Sequence, residues 1–116
     1  IGVPCQIVRF HDGREALEAL RGSFGRTAVG NPYLILLDLN MPRMGGIPFL
    51  DELRSDPELR RSIVFALTGS EADEDKLAAY DRRVAGYLVK HTLGHDYGAL
   101  TNLLTVYQRA IEFPHA

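Results

Sequence analysis

The chain has 116 residues, enough for one hydrophobic core and too few for two. An apolar content of 46%, a charged content of 24% and a formal charge of -2 fit an ordinary globular domain, with no bulk attraction to nucleic acid or an anionic membrane. One cysteine, Cys5, excludes an internal disulfide, and no apolar run approaches bilayer length. Residues 5–10 are β-rich and loosely alternating, so they read as a strand with Cys5 as a small core residue. Asp12 followed by Glu15 is a capping-box-like start, and Ala16, Leu17, Ala19 and Leu20 continue it as a helical stripe. Gly22, Gly25, Gly30 and Pro32 punctuate a loop.

Residues 33–42, YLILLDLNMP, carry the strongest signal. An unbroken apolar run reads as a strand buried on both faces, the pattern of a parallel sheet. It ends in Asp38, a carboxylate that is costly to bury without a polar or charged partner. A turn over residues 42–46 follows, then a helix marked by Ile47, Leu50 and Leu53. That helix should stop near Ser55 and Asp56, because Pro57 disfavours a helical predecessor. Residues 63–67 form a second short buried strand ahead of Thr68, Gly69 and Ser70. Ser70 and Asp73 have the spacing of a capping pair opening a helix through about Tyr80. Residues 85–89 form a third strand ending at Lys90, and Tyr97, Leu100, Leu103, Leu104, Tyr107 and Ile111 stripe a last helix.

The alternation β-α-β-α-β-α-β-α predicts an α/β fold, a doubly wound parallel sheet with right-handed crossovers. In such a sheet Asp38, Thr68 and Lys90 lie past strand ends on one side, where ligands bind. A carboxylate able to act as nucleophile, a hydroxyl donor and a cation together suit a phosphoryl group being received.

Residues 38–42 (DLNMP), 67–70 (LTGS) and 86–90 (GYLVK) resemble, in order, the three strand-end motifs of the response-regulator receiver domain of two-component signalling. The resemblance runs from about Ile7 to Ile111. It implies a flavodoxin-like sheet of strand order 2-1-3-4-5 and a cytoplasmic signalling switch that turns over no metabolite. It makes Asp38 the acceptor of a phosphoryl group from a sensor histidine kinase and Lys90 the phosphate-pairing lysine. Thr68 becomes the switch hydroxyl, Tyr87 the aromatic switch, and Gly69 the residue that keeps access open. Mg²⁺ would be held by Asp38 and the backbone carbonyl of Asn40. Residues 89–96 and 106–114 are similar to the stand-alone regulators of bacterial phytochromes, in which the carboxy-terminal segment helps to form homodimers. On that likeness Tyr107, Ile111, Phe113 and Pro114 are candidates for a dimer surface, with core packing as the other reading.

Two departures stand out. The family's first strand, its pair of acidic residues and its first helix have no counterpart in the 116 residues, which read as a receiver domain incomplete at its amino terminus and without an output domain. Without that central strand, the strand around Ile7 is expected to lack a neighbour, and Mg²⁺ loses part of its ligand shell. Also, His91 follows Lys90 where the family commonly has proline, so that bond should be trans.

Other readings are weaker. A haloacid-dehalogenase-type phosphatase wants a second acid two residues after its nucleophile, where Asn40 stands here and cannot transfer protons. A degenerate receiver acting as a phosphorylation-independent interaction module gains only if the acidic pair is truly absent. His91 and His95 have a spacing that can hold a metal, but Gly94 and the lack of a third nearby ligand favour a solvated pair. Asp73, Glu74 and Asp75 suit the first turn of a helix, and the pairs Arg60-Arg61 and Arg82-Arg83 read as solvated.

Overall fold

The computed structural model describes residues 6–10, 12–21, 33–40, 44–93 and 98–112. Their order is β1 (Gln6–Phe10), α1 (Gly13–Arg21), β2 (Tyr33–Asp38), α2 (Gly46–Ser55), β3 (Ile63–Thr68), α3 (Asp73–Asp81), β4 (Gly86–Val89), a 3-10 turn (Lys90–Thr92) and α4 (Gly98–Ala110). The four strands form one parallel sheet in the order β1-β2-β3-β4.

Strand alternation divides the core into two layers. Ile35 and Leu37 of β2, with Val64 and Ala66 of β3, meet α1 through Leu17 and Leu20 and α2 through Phe49, Leu50 and Leu53. Ala79 brings α3 to the same layer. On the opposite face Leu34, Leu36, Phe65 and Leu67 meet Leu100 and Leu104 of α4. Three helices therefore cover one face and a single helix the other. No helix among the described residues is long and apolar enough to cross a membrane.

The expectation that the strand around Ile7 lacks a neighbour is overturned. β1 pairs directly with β2, from Gln6 opposite Tyr33 to Phe10 opposite Leu37. Backbone N–H and C=O groups demand partners, and β2 offers a free row of them once no strand stands between. The result is the order 2-1-3-4-5 with its central member missing and the gap closed. That register sends Val8 and Phe10 to the three-helix face. Ile7 and Arg9 stand level with Leu34 and Leu36 on the α4 face, yet both are exposed there, Ile7 at 42%.

Local signals explain most element limits. Asp12 Oδ1 accepts the amides of Arg14 (2.9 Å) and Glu15 (3.2 Å), so it caps α1 as its spacing predicts. α2 ends at Ser55, with Asp56 already extended ahead of Pro57. Ser70 is not the cap of α3, however. Ala72 takes that place, while the Ser70 hydroxyl bonds Asp75 Oδ2 (2.6 Å) and accepts the Ala72 amide (3.1 Å). The hydroxyl thus serves both as donor to the carboxylate and as acceptor within the loop, and the helix starts two residues later than the spacing predicts.

Two glycines set the ends of the loop after β2. A Cβ at Gly46 would lie 2.7 Å from Leu39 Cα, and one at Gly13 would lie 2.5 Å from the Met44 carbonyl oxygen. Both approaches carry hydrogen bonds of 3.1 Å, from the Gly46 amide to Leu39 O and from the Gly13 amide to Met44 O. The backbone just past Asp38 is thus tied to the start of α2, and Met44 to the start of α1.

Candidate functional site

Strand register brings the predicted residues to one end of the sheet. Asp38 pairs with Leu67, and the Leu39 amide extends the ladder by donating to Leu67 O at 3.1 Å. Thr68 stands one step farther, opposite Val89, and Lys90 follows immediately. Adjacent parallel strands ending at nearly the same level therefore present a carboxylate, a hydroxyl and an ammonium in sequence.

Asp38 is 8% exposed and Thr68 only 2%. The buried carboxylate meets the partner its burial requires. Lys90 Nζ reaches across the end of β3 to Asp38 Oδ2 at 3.1 Å, and the Asn40 amide donates to Asp38 Oδ1 at 3.3 Å. The Lys90 side chain is 36% exposed and that of Asp38 11%, so the pair opens to solvent on the lysine side. Thr68 Oγ1 accepts the Ser70 amide at 3.1 Å. It is not freed by a capping serine, as its neighbour's spacing suggests, but its own hydroxyl hydrogen is still available to a ligand.

Gly69 is exposed, and a Cβ there would meet nothing within 4 Å, so it lies at an open mouth. Tyr87 is half-buried against the three-helix layer and donates its hydroxyl to Ser70 O at 3.0 Å. The ring is a tie between β4 and the loop after β3, rather than sheet surface alone. One contact has no signal in the sequence: His91 Nε2 lies 3.0 Å from Glu71 Oε1, joining the loops that follow β4 and β3. The pair could be found only once the register put residues 68 and 90 side by side.

The candidate dimer residues divide. Tyr107 sets its ring edge-on to Phe65, with centroids 4.9 Å apart at 83°, which is a core contact. Ile111 is half-buried, and Phe113 and Pro114 lie outside the described residues. The exposed large apolar side chains of α4 are Leu103 (38%), a member of the predicted stripe that the core does not take in, and Val106 (64%), which the stripe does not single out. His95 and Cys5 also lie outside the described residues.

A divalent metal fits this donor set poorly. Among the described residues no group of three or more His, Cys, Asp or Glu side chains could hold one. Asp38 is the one acid in contact with Lys90, and each of its oxygens already has a donor. Mg²⁺ takes oxygen ligands in near-octahedral array, usually from one or two carboxylates with waters and phosphate. What the arrangement can do alone is offer a carboxylate oxygen as nucleophile beside a fixed cation and a hydroxyl donor.

Comparison with known proteins agrees with this geometry. The family model for the response regulator receiver domain matches residues 3–97. Response regulator Rcp1 of Synechocystis sp. is 35% identical over 85 residues, which is 73% of this chain and 58% of Rcp1. The chain thus spans little more than half of that relative's length. The crystal structure of the phosphorylated cyanobacterial phytochrome response regulator RcpA superposes with a TM-score of 0.76 at 31% identity, covering 93% of this chain and 78% of RcpA. The Mn(2+)-bound form of Rcp1 superposes with a TM-score of 0.76 at 27% identity, over 93% of this chain and 78% of that one.

Proposed function

The chain belongs to the response regulator receiver domain family, and from that premise we propose that it is a phosphoacceptor switch whose acceptor is Asp38. The observation that carries the reading is the contact of 3.1 Å between Lys90 Nζ and Asp38 Oδ2, with Thr68 buried at the next strand end. One Asp38 oxygen attacks phosphorus, the bond from phosphorus to the donor atom breaks, and an acyl phosphate forms. Lys90 then moves its charge to the phosphoryl oxygens, which carry the negative charge that the free carboxylate held. Thr68 donates its hydroxyl hydrogen to one of those oxygens while its Oγ1 still accepts the Ser70 amide. Any shift of the Thr68–Ser70 segment reaches Tyr87 through the Ser70 carbonyl, and this is the route by which the acylated state alters the surface.

The donor is a sensor histidine kinase, and a bacterial phytochrome is the kinase class favoured by the likeness to RcpA. Self-association through the end of α4 belongs to the same reading, supported by the exposure of Leu103 and Val106 beside Tyr107 and Ile111. Mg²⁺ would rest on Asp38 and the Asn40 carbonyl; with no group of three or more His, Cys, Asp or Glu side chains placed to hold it among the described residues, no step here is routed through it. The alternative to the switch is a receiver that binds its partners without phosphorylation.

Intact mass before and after acetyl phosphate with Mg²⁺ decides between them. One phosphoryl adduct, lost in Asp38→Asn, is the expected outcome. No adduct on the wild-type protein moves the assignment to the interaction module, and an adduct that persists at the normal rate in Asp38→Asn removes Asp38 from the role.

A further inference from the structure

Two side chains outside the phosphoryl pocket bracket Lys90. Tyr87, three residues before it, bonds Ser70 O at 3.0 Å; His91, immediately after it, meets Glu71 Oε1 at 3.0 Å. Consecutive residues of the β3–α3 loop are therefore tied to both flanks of the lysine. Beyond the pairing of Val89 with β3, the Lys90–Asp38 contact and the buried Leu93 side chain, the segment is held by its own turn. A single 3-10 turn follows Val89, closed by the Leu93 amide on Lys90 O (3.2 Å) and by Thr92 Oγ1 on Val89 O (2.8 Å). On the other side the loop is held by the Ser70 hydroxyl on Asp75 and by the Ser70 amide on Thr68.

We infer that His91 and Glu71 are positioning residues for phosphoryl transfer: their ion pair latches the Lys90 loop to the Thr68 loop, and the latch sets the lifetime of the acyl phosphate. The imidazole Nε2 and the carboxylate oxygen lie at hydrogen-bond distance, and the bond is charge-assisted when the imidazole carries a proton on both nitrogens. The latch keeps the Lys90 ammonium and the Thr68 hydroxyl at a fixed separation, so both meet the same phosphoryl group. It also closes the side of the pocket between the two loops. Hydrolysis needs water to add at phosphorus as the bond from the Asp38 oxygen to phosphorus breaks, with inorganic phosphate leaving and the proton passing to solvent. A looser loop admits that water more readily.

The pair is exposed, at 62% for His91 and 64% for Glu71, so its substitution leaves the core intact and the effect is modest, up to about fivefold. The lifetime depends on the phosphoacceptor reading, but a second measurement does not. The amides of Ser70 and Ala72 have acceptors within the loop, so their hydrogen exchange in the unphosphorylated protein reports its opening. Glu71→Ala and His91→Ala should each speed that exchange and shorten the adduct lifetime by a similar factor. The double variant should go no further than the larger single change, and His91→Lys, which keeps a cation in reach, should recover most of the wild-type behaviour. Unchanged exchange, additive single effects, or faster exchange with an unchanged adduct lifetime would each overturn the latch. A wild-type protein that takes no adduct overturns the phosphoacceptor reading and the lifetime role together, while the exchange data still decide whether the two loops are tied.

Discussion

At the amino-terminal end of the sheet, one guanidinium donates to four backbone carbonyls: Arg54 reaches Arg82 O (2.8 Å), Arg60 O (2.9 Å), Ser62 O (2.7 Å) and Arg83 O (2.9 Å). At the carboxyl end, Lys90 reaches a single carboxylate. Both cations are partly buried, yet they differ in what a competing ligand could take from them. The carbonyls around Arg54 belong to turns that must satisfy them somewhere, and burial lowers its pKa, helped by the like charge of Arg83. The Asp38 carboxylate can be exchanged for phosphoryl oxygens without stranding any backbone group. A charge bound by the main chain holds the fold; a charge bound by another side chain is free to do chemistry. Arg54 even fixes the backbone of Arg83, whose φ of 62° is unusual for a residue with a side chain.

Exchanging each cation for an apolar residue is the sharpest way to break this contrast. Arg54→Leu strands four carbonyls and should cost about 3 kcal/mol of stability in urea titrations, with the surviving folded fraction still able to take up phosphate. Lys90→Met should do the reverse, costing only about 1–2 kcal/mol in the same titration, because Asp38 keeps the Asn40 amide and the pair opens to solvent, and slowing adduct formation about 100-fold. If both variants lose stability equally, the two ends do not differ as argued. Tyr87→Phe removes one hydrogen bond and should cost about 1 kcal/mol, read by the same titration, with no loss of adduct.

The smallest effect is a pH dependence at the amino-terminal end. Burial pushes the Asp56 carboxyl up, but the amides of Glu58 and Leu59 and the Arg21 guanidinium outweigh it and hold the group below its usual 3.8. A depressed carboxyl stabilises the fold above its unfolded value, and that contribution fades as pH falls through the folded one. The gap in melting midpoint between wild type and Asp56→Ala should therefore be constant near neutrality and narrow below about pH 4.

Much of this contrast could be read from sequence at one end and little at the other. Asp38, Thr68 and Lys90 each close a recognisable apolar run, so one rule about parallel sheets brings them together. Arg54 looks like any basic residue in a last helical turn, because its four acceptors are carbonyls from turns up to 29 residues away. The pairing of β1 with β2 was hidden for a related reason: which strands become neighbours depends on which are present, and no local pattern states it. Ser70 misled at short range, since its hydroxyl accepts the Ala72 amide within the loop and donates to Asp75, and the helix begins only after Ala72. Tyr107 carried a true apolar signal with two outcomes, and only the position of the Phe65 ring chooses the core one.

The direct seating of β1 on β2 also bears on how concentrated solutions of the protein behave. Among the described residues β1 is a lateral edge of the sheet, with Ile7 and Arg9 exposed on the face that α4 covers farther in, at β2 and β3. An open edge is a template for another strand, and a charge placed on it makes a stacked neighbour repel. Arg9 thus serves as a gatekeeper of solubility, set beside an isoleucine that would otherwise invite fibrous association.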